Sequence, residues 1–200
     1  YDLPSLQSPI REVQVLARAI DTLDSAVKSF AAFVPVGLVR QLLDSDQKLV
    51  LGGHSRFLTI FFSDLEAFST MSEEVPSQEL LSRVSAYLGV VTHAVNMEHG
   101  KIVKFIGDGV MAFWGAPLED RNHRANAVSA ALRILAEVER LRVEFPLRGF
   151  PAINIGIGVN TGMMNVGDMG SVYRRAYTVL GDAVNLGSRL EGLTKFYGVK

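Results

Sequence analysis

The sequence predicts an α+β sandwich, a single sheet with helices packed on one side of it. Three observations carry that prediction. Arg56 to Thr70, RFLTIFFSDLEAFST, opens with an unbroken apolar run that ends on Asp64. Lys101 to Gly115, KIVKFIGDGVMAFWG, reads as two short apolar strands folded around a glycine-bracketed turn at Asp108. Two long segments of helical periodicity, Ser77 to Met97 and Ala125 to Phe145, follow the first strand and the hairpin respectively.

Taken from the N-terminus, Tyr1 to Pro9 contains two prolines and reads as an irregular lead-in. Val13, Leu16, Ile20, Leu23, Val27 and Phe30 then recur at spacings of three and four. This heptad seam of about three repeats suits either an amphipathic helix lying on a core or a two-helix coiled coil. Pro35 ends the helix, since it disfavours helical geometry at Val34 and has no amide hydrogen to donate. Val36 to Leu43 can form a further turn or two, and Leu51-Gly52-Gly53-His54 reads as a linker. Residues 1–55 are thus an N-terminal helix with its linker, and residues 56–200 the main domain.

Phe57 to Phe62 is apolar nearly throughout, as a strand covered on both faces requires. In Ser77 to Met97, Leu80, Leu81, Val84, Leu88, Val91 and Val95 repeat at helical spacing, with Pro76 tolerated at the start and Gly100 placed to cap the end. At the turn, Gly107 and Gly109 reach positive φ at no steric cost, so the chain can reverse within two residues and present Asp108 outward. Ala127, Ala131, Ile134, Val138, Leu141 and Phe145 mark one face of the second long helix, which Pro146 closes. Ile153, Ile155, Ile157 and Val159 alternate with Asn154, Gly156, Gly158 and Asn160, giving a strand with one bulky face and one nearly bare face that permits close approach. Tyr177 to Leu180 is a last short strand and Ala183 to Phe196 a last helix.

Composition narrows the function. Two hundred residues, 48% hydrophobic and 20% charged, suffice for one well-cored domain with an appendage. A net charge of -1 gives no electrostatic reason to expect nucleic acid or an anionic membrane as partner. Without cysteine, neither a disulfide framework nor a thiolate metal site can form, which fits a reducing compartment. No apolar run is long enough to span a bilayer, and the first residues lack the basic-then-apolar order of a signal peptide, so the chain as it stands reads as soluble.

The common nucleotide-binding loops do not occur. Gly156, Gly158 and Gly162 fail the dinucleotide spacing, and there is no Gly-Lys-Ser or Gly-Lys-Thr of a phosphate loop. His54, His93, His99 and His123 show no ligand spacing and read as surface or satisfied side chains, while Trp114, Met163 and Met164 read as packing. What remains is chemistry for phosphate. A lone Gly-Asp-Gly is ordinary turn composition, but a second strand-end carboxylate, Asp64, invites a metal. Side by side, Asp64 and Asp108 can hold one or two divalent cations, and Mg²⁺ takes few protein carboxylates while substrate phosphates complete its shell. Leu65 to Ser69 lead into a helix start whose free amides favour an anion. Asn185 and Arg189 stand four apart on one face of the last helix, where an arginine can stabilise a pentavalent phosphorus transition state. Taken singly, each also fits a structural role: Arg189 as an ion-pair partner, Asn185 as a cap, Asp182 as a helix start.

The segments FFSDLEAFS, KFIGDGVMAFWG and YTVLGDAVNLGSRLEG, in that order and spacing, resemble the signature blocks of class III nucleotidyl cyclases, in particular bacterial adenylyl cyclases of subclass IIIb. The resemblance runs from Phe57 to Lys200. It implies a ferredoxin-like βαββαβ core, related to polymerase palm domains, with active sites at a head-to-tail homodimer interface. Position by position, it implies Asp64 and Asp108 as carboxylate ligands of two Mg²⁺ or Mn²⁺ ions, with the backbone carbonyl of Leu65 as a further ligand. Ala67, Phe68 and Ser69 would present amides to the β and γ phosphates of ATP, and Phe62 would line the adenine pocket. The other chain would supply Lys104 and Thr178 as base readers, the backbone at Val179, Asn185 to orient the ribose and Arg189 to stabilise the transition state.

The implied reaction takes ATP to 3′,5′-cyclic AMP and pyrophosphate by in-line attack of the ribose 3′-hydroxyl on the α-phosphorus. Lys104 would donate to an adenine ring nitrogen and the Thr178 hydroxyl would accept from the amino group, whereas guanylyl cyclases carry an acidic residue at the Lys104 position. Guanylyl cyclase is the first alternative. A non-catalytic nucleotide-sensing dimerisation module is the second, although such relatives usually lose one of the paired acids or the arginine. The chain also departs from the family pattern. Met163 stands where some members place a phosphate-binding arginine, Gly187 replaces the usual alanine and should weaken its helix modestly, and the family's terminal strands with a further phosphate-binding lysine lie beyond Lys200. The heptad helix implies an upstream sensor or membrane module, and a cytoplasmic catalytic domain tethered in some members to the inner membrane.

Overall fold

The apolar run of residues 57–62 lies in the middle of a five-stranded antiparallel sheet. In the computed structural model, the described residues are 11–31, 52–66, 68, 72–73, 75–147, 151–171 and 175–199. The chain divides into two units, Tyr1–Val50 and Leu51–Lys200. In the first, Arg11–Ala31 forms helix α1, with Val15, Leu16, Ile20 and Leu23 all exposed. Pro35 and the segment Val36 to Leu43 lie outside the described residues.

The second unit runs β1 (Gly52–Leu65), α2 (Ser77–Met97), β2 (Lys101–Ile106), β3 (Gly109–Trp114), α3 (His123–Leu147), β4 (Ile155–Gly170), β5 (Arg175–Leu180) and α4 (Asp182–Tyr197). The strand order is β2-β3-β1-β4-β5. β1, α2, β2, β3, α3 and β4 make the predicted βαββαβ core, and β5 is added beside β4. Among the described residues no helix is long and apolar enough to cross a membrane.

Alternation along β1 sorts its side chains between two cores. Phe61 and Leu65 join Val110, Ala112 and Trp114 of β3, Ile155 of β4, and the buried faces of α2 and α3. Leu58 and Ile60 point the other way, with Met111, Phe113, Met164, Val166, Val179 and Val184 of α4. The expectation of helices on one side is therefore corrected: α2 and α3 cover one face of the sheet, and α4 covers the other. The bare face of β4 explains this. A Cβ on Gly162 would fall 2.8 Å from the Ala183 Cβ, and one on Gly187 would fall 2.8 Å from the Ile60 Cγ2. Glycine on both elements lets α4 approach until Asn160 Nδ2 donates to the Ala183 carbonyl at 2.7 Å.

Other boundaries shift for identifiable reasons. Gly52, Gly53 and His54, read as linker, belong to β1 and pair with Asp168, Gly167 and Val166, because β4 extends to Gly170 and offers them a ladder. The strand expected over 153–160 accordingly starts at Ile155 and runs much further. Pro146 lies inside α3, one residue before its end, rather than closing it. In α2, Leu81 is exposed while Tyr87 and Ala94 are buried, which rotates the buried face from the predicted stripe. At its end the left-handed residue is His99, at φ 64, instead of Gly100. Gly100 donates its N–H to the Val95 carbonyl at 2.8 Å, and its missing side chain is required by Trp114, whose ring carbon Cε2 would lie 2.5 Å from a Cβ there.

Candidate active site

Register brings the two strand-end carboxylates together. Ser63 of β1 pairs with Val110 of β3, so the end of β1 meets the turn between β2 and β3. That turn has two residues, Gly107 and Asp108, because Ile106 pairs with Gly109. Gly107 takes φ 64, a conformation that glycine adopts without strain. Gly109 does not adopt positive φ; its lack of a side chain leaves room for Asp64, whose Oδ1 would lie 3.4 Å from a Cβ. Asp108 is not presented outward as expected. It is only 9% exposed, and its Oδ2 accepts a hydrogen bond from the Leu65 N–H at 3.1 Å.

The Asp108 carboxyl is pushed up to about 6, first by burial and then by its hydrogen bond with Asp64; the Leu65 N–H and its own backbone oppose the shift. Burial and a neighbouring carboxylate both disfavour the charged form of Asp108 in the absence of a cation. On the other core's side, Ser63 Oγ and the Tyr87 hydroxyl lie 2.8 Å apart in full burial. Burial, reinforced by the negative charges of Asp64, Asp108 and Glu191, raises the Tyr87 hydroxyl above its ordinary range, so the phenol stays neutral beneath the acidic pair.

Two residues of α4 that the sequence pattern did not single out complete this end. Lys195 Nζ lies 3.6 Å from Asp64 Oδ2. Glu191 is raised by burial and by Asp64, with Lys195 acting against the shift, and its Oε1 is buried without a hydrogen-bond partner. The signal was present in the i, i+4 spacing of Glu191 and Lys195 on the same helix as Arg189.

The donor set suits a hard divalent cation. Among the described residues no group of three His, Cys, Asp or Glu side chains could hold a metal, but two carboxylates at one strand end are a sufficient protein share for Mg²⁺. The raised Asp108 carboxyl and the Lys195 ammonium mark the place as one where positive charge is wanted.

The remaining sequence-predicted residues lie elsewhere. Phe62 is half-buried and would lie 3.3 Å (Cδ2) from a Cβ on Gly187. Phe68 packs against the α2 and α3 core. Ala67 and Ser69 lie outside the described residues. Lys104 is exposed on β2, and Thr178 is half-buried on β5, opposite Gly167. The backbone of Val179 pairs with Val166 while its side chain is buried. Val103 and Tyr177, the neighbours of Lys104 and Thr178, pack on one core cluster. Asn185 and Arg189 are both exposed. At about 100° per residue they project from the side of α4 opposite the buried Val184, Gly187 and Thr194, and so away from their own sheet. Beside them runs an exposed apolar stripe, Leu186, Leu190, Leu193 and Tyr197. Met163, read as packing, is 57% exposed, while Met164 is buried. Of the histidines, His123 is buried and its Nδ1 lies 2.6 Å from the Thr59 hydroxyl; His54, His93 and His99 are exposed.

Residues 54–198 match the family model described as adenylate and guanylate cyclase catalytic domain. The chain is 33% identical over 196 residues to adenylate cyclase 1 of Rhizobium meliloti, covering 96% of this chain and 29% of the relative. It resembles the crystal structure of the adenylyl cyclase CyaB from P. aeruginosa, with a TM-score of 0.68 and 34% identity over 71% of this chain and 74% of that one. The guanylyl cyclase Cya2 gives the same TM-score at 32% identity, covering 71% and 72%. The chain spans well under half the length of the curated relatives it matches, 29% of one and 40% of another, an adenylate cyclase of Anabaena cylindrica.

Proposed function

The chain belongs to the adenylate and guanylate cyclase catalytic-domain family, and on that premise we propose that it converts ATP to 3′,5′-cyclic AMP and pyrophosphate at sites shared between two copies of itself. The observation that carries the reading is the convergence of Asp64, at the end of β1, with the buried Asp108 of the β2–β3 turn, whose Oδ2 accepts from the Leu65 N–H at 3.1 Å. These carboxylates, with the Leu65 carbonyl, would hold Mg²⁺ or Mn²⁺, two per site. When bound, the ions supply Lewis-acid activation of the ribose 3′-hydroxyl and neutralise the triphosphate.

The chain's own residues divide the remaining work. Asn185 and Arg189 face away from their own sheet, so a second copy must bring the nucleotide to them. There Asn185 orients the ribose, and the planar, permanently charged guanidinium of Arg189 meets the charge spread over the reacting phosphorus. The stripe of Leu186, Leu190, Leu193 and Tyr197 gives that second copy an apolar surface to cover. Ala67, Phe68 and Ser69 hold the β and γ phosphates through their amides, and Phe62 contacts the base.

Selection of adenine rests on Lys104, which donates to a ring nitrogen, on Thr178, which accepts from the exocyclic amine, and on the Val179 backbone. Because both adenylyl and guanylyl cyclases share this fold, the base readers decide between them. The test is cyclic nucleotide production from ATP and from GTP with Mg²⁺ or Mn²⁺. The expected result is cyclic AMP in excess, with Lys104→Glu shifting turnover toward GTP; preferential cyclisation of GTP by the wild-type chain would overturn the ATP assignment. The heptad face of α1 fits a segment that sets the registration of the dimer on behalf of an upstream sensor, and removal of residues 1–34 should then change the rate.

A further inference from the structure

Lys195 approaches Asp64 on the side away from the turn. The two oxygens of Asp64 are divided: Oδ2 lies 3.6 Å from the Lys195 ammonium, while Oδ1 is turned toward the Gly109 backbone and the Asp108 end of the site. The same ammonium acts on Glu191, four residues earlier on the helix, against the charges of Asp64 and Glu66. Asp64 of β1 and Glu191 of α4 thus share the field of one ammonium, which is carried on the helix itself. Both members of the Lys195–Asp64 pair are partly exposed, at 45% and 35%, so the ammonium can leave without disturbing the core.

We propose that Lys195 is a tethered counter-cation that offsets the charge of Asp64 and holds down the affinity of the nucleotide-free site for free metal ions. This rests on the reading of Asp64 and Asp108 as the metal carboxylates. A positive charge this close to one oxygen of Asp64 repels a cation arriving at the other and draws negative charge away from it. The ammonium offsets part of the negative charge at Asp64 until metal and nucleotide arrive together, which disfavours idle binding of metal alone. Lys195 acts through Asp64 and is a positioning residue, not a catalytic one.

The experiment is Mn²⁺ binding without nucleotide, read from the loss of the free-ion signal in electron paramagnetic resonance, on the full chain and on Lys195→Met, Lys195→Arg and Asp108→Asn. A partly exposed ion pair of this kind predicts that Lys195→Met binds Mn²⁺ about two- to five-fold more tightly, that Lys195→Arg stays close to wild type, and that raised salt narrows the difference. A purely structural role for the side chain would instead weaken binding in Lys195→Met. Equal or weaker binding in Lys195→Met, with wild-type binding intact and Asp108→Asn binding lost, overturns this inference alone. Failure of the wild-type chain to bind Mn²⁺ removes the metal reading of Asp64 and Asp108 and this inference with it.

Discussion

Asp64, at the end of β1, bears on the buried carboxyl of Asp108 in the β2–β3 turn and helps to raise it. The arrangement has a pH signature. The Asp108 carboxyl titrates near 6 in the folded chain against 3.8 for an ordinary aspartate, so the folded state binds the extra proton between those values. Without metal, this contribution to stability is present at low pH and is lost as pH rises from about 4 through 6. His123, whose pKa burial lowers, acts in the opposite direction, so the informative quantity is the difference between wild type and Asp108→Asn. Denaturant melts across pH 4 to 7.5 should show wild type losing stability relative to the variant over that window; a difference independent of pH would contradict the raised Asp108 carboxyl.

The contact between Gly187 and Ile60 predicts an unusual response to a helix-favouring substitution. Gly187→Ala gains intrinsic helix propensity but drives a Cβ to 2.8 Å from the Ile60 Cγ2, and overpacking of that kind costs about 1–3 kcal/mol. Gly192, on the same helix, has nothing within 4 Å of the added atom. Gly192→Ala should therefore stabilise by up to about 1 kcal/mol. Urea unfolding of the pair checks the opposite signs.

Gly100 and Trp114 make a second such contact. Gly100→Ala would place a Cβ 2.5 Å from the Trp114 ring and 2.7 Å from the Val95 Cγ1. The expected loss is about 1–3 kcal/mol, accompanied by a change in fluorescence of the single tryptophan. Unchanged stability and emission would show that the α2–β2 junction is looser than the contact implies.

The sandwich was legible because its signals are local. The Phe57–Phe62 run, the Ser77–Met97 periodicity and the Gly-Asp-Gly turn each specify an element from consecutive residues. The side of the sheet taken by α4 was not, since it depends on how glycines of β4 meet glycine and alanine of α4 across a tertiary contact. The same holds for His99, which takes the left-handed position expected of Gly100 while Gly100 makes room for the Trp114 ring. At the site, the residue types of Asp64, Asp108, Asn185 and Arg189 pointed to phosphate chemistry. Lys195 and Glu191 escaped notice because charged residues at i, i+4 on a helix are common, and only the end of β1 beside them gives the pair a meaning.

The division of labour between two copies is the central claim, and mixing two inactive variants tests it most directly. Asp108→Ala lacks the carboxylate proposed to hold metal and Arg189→Ala the arginine proposed to meet the transition state, so each alone should make almost no cyclic AMP. Equal mixing with subunit exchange should restore up to about a quarter of the wild-type rate, because half of the dimers are mixed and each carries one intact site. Cyclic AMP formation by the mixture that does not exceed the sum of the two variants, under conditions where the subunits exchange, would contradict the account.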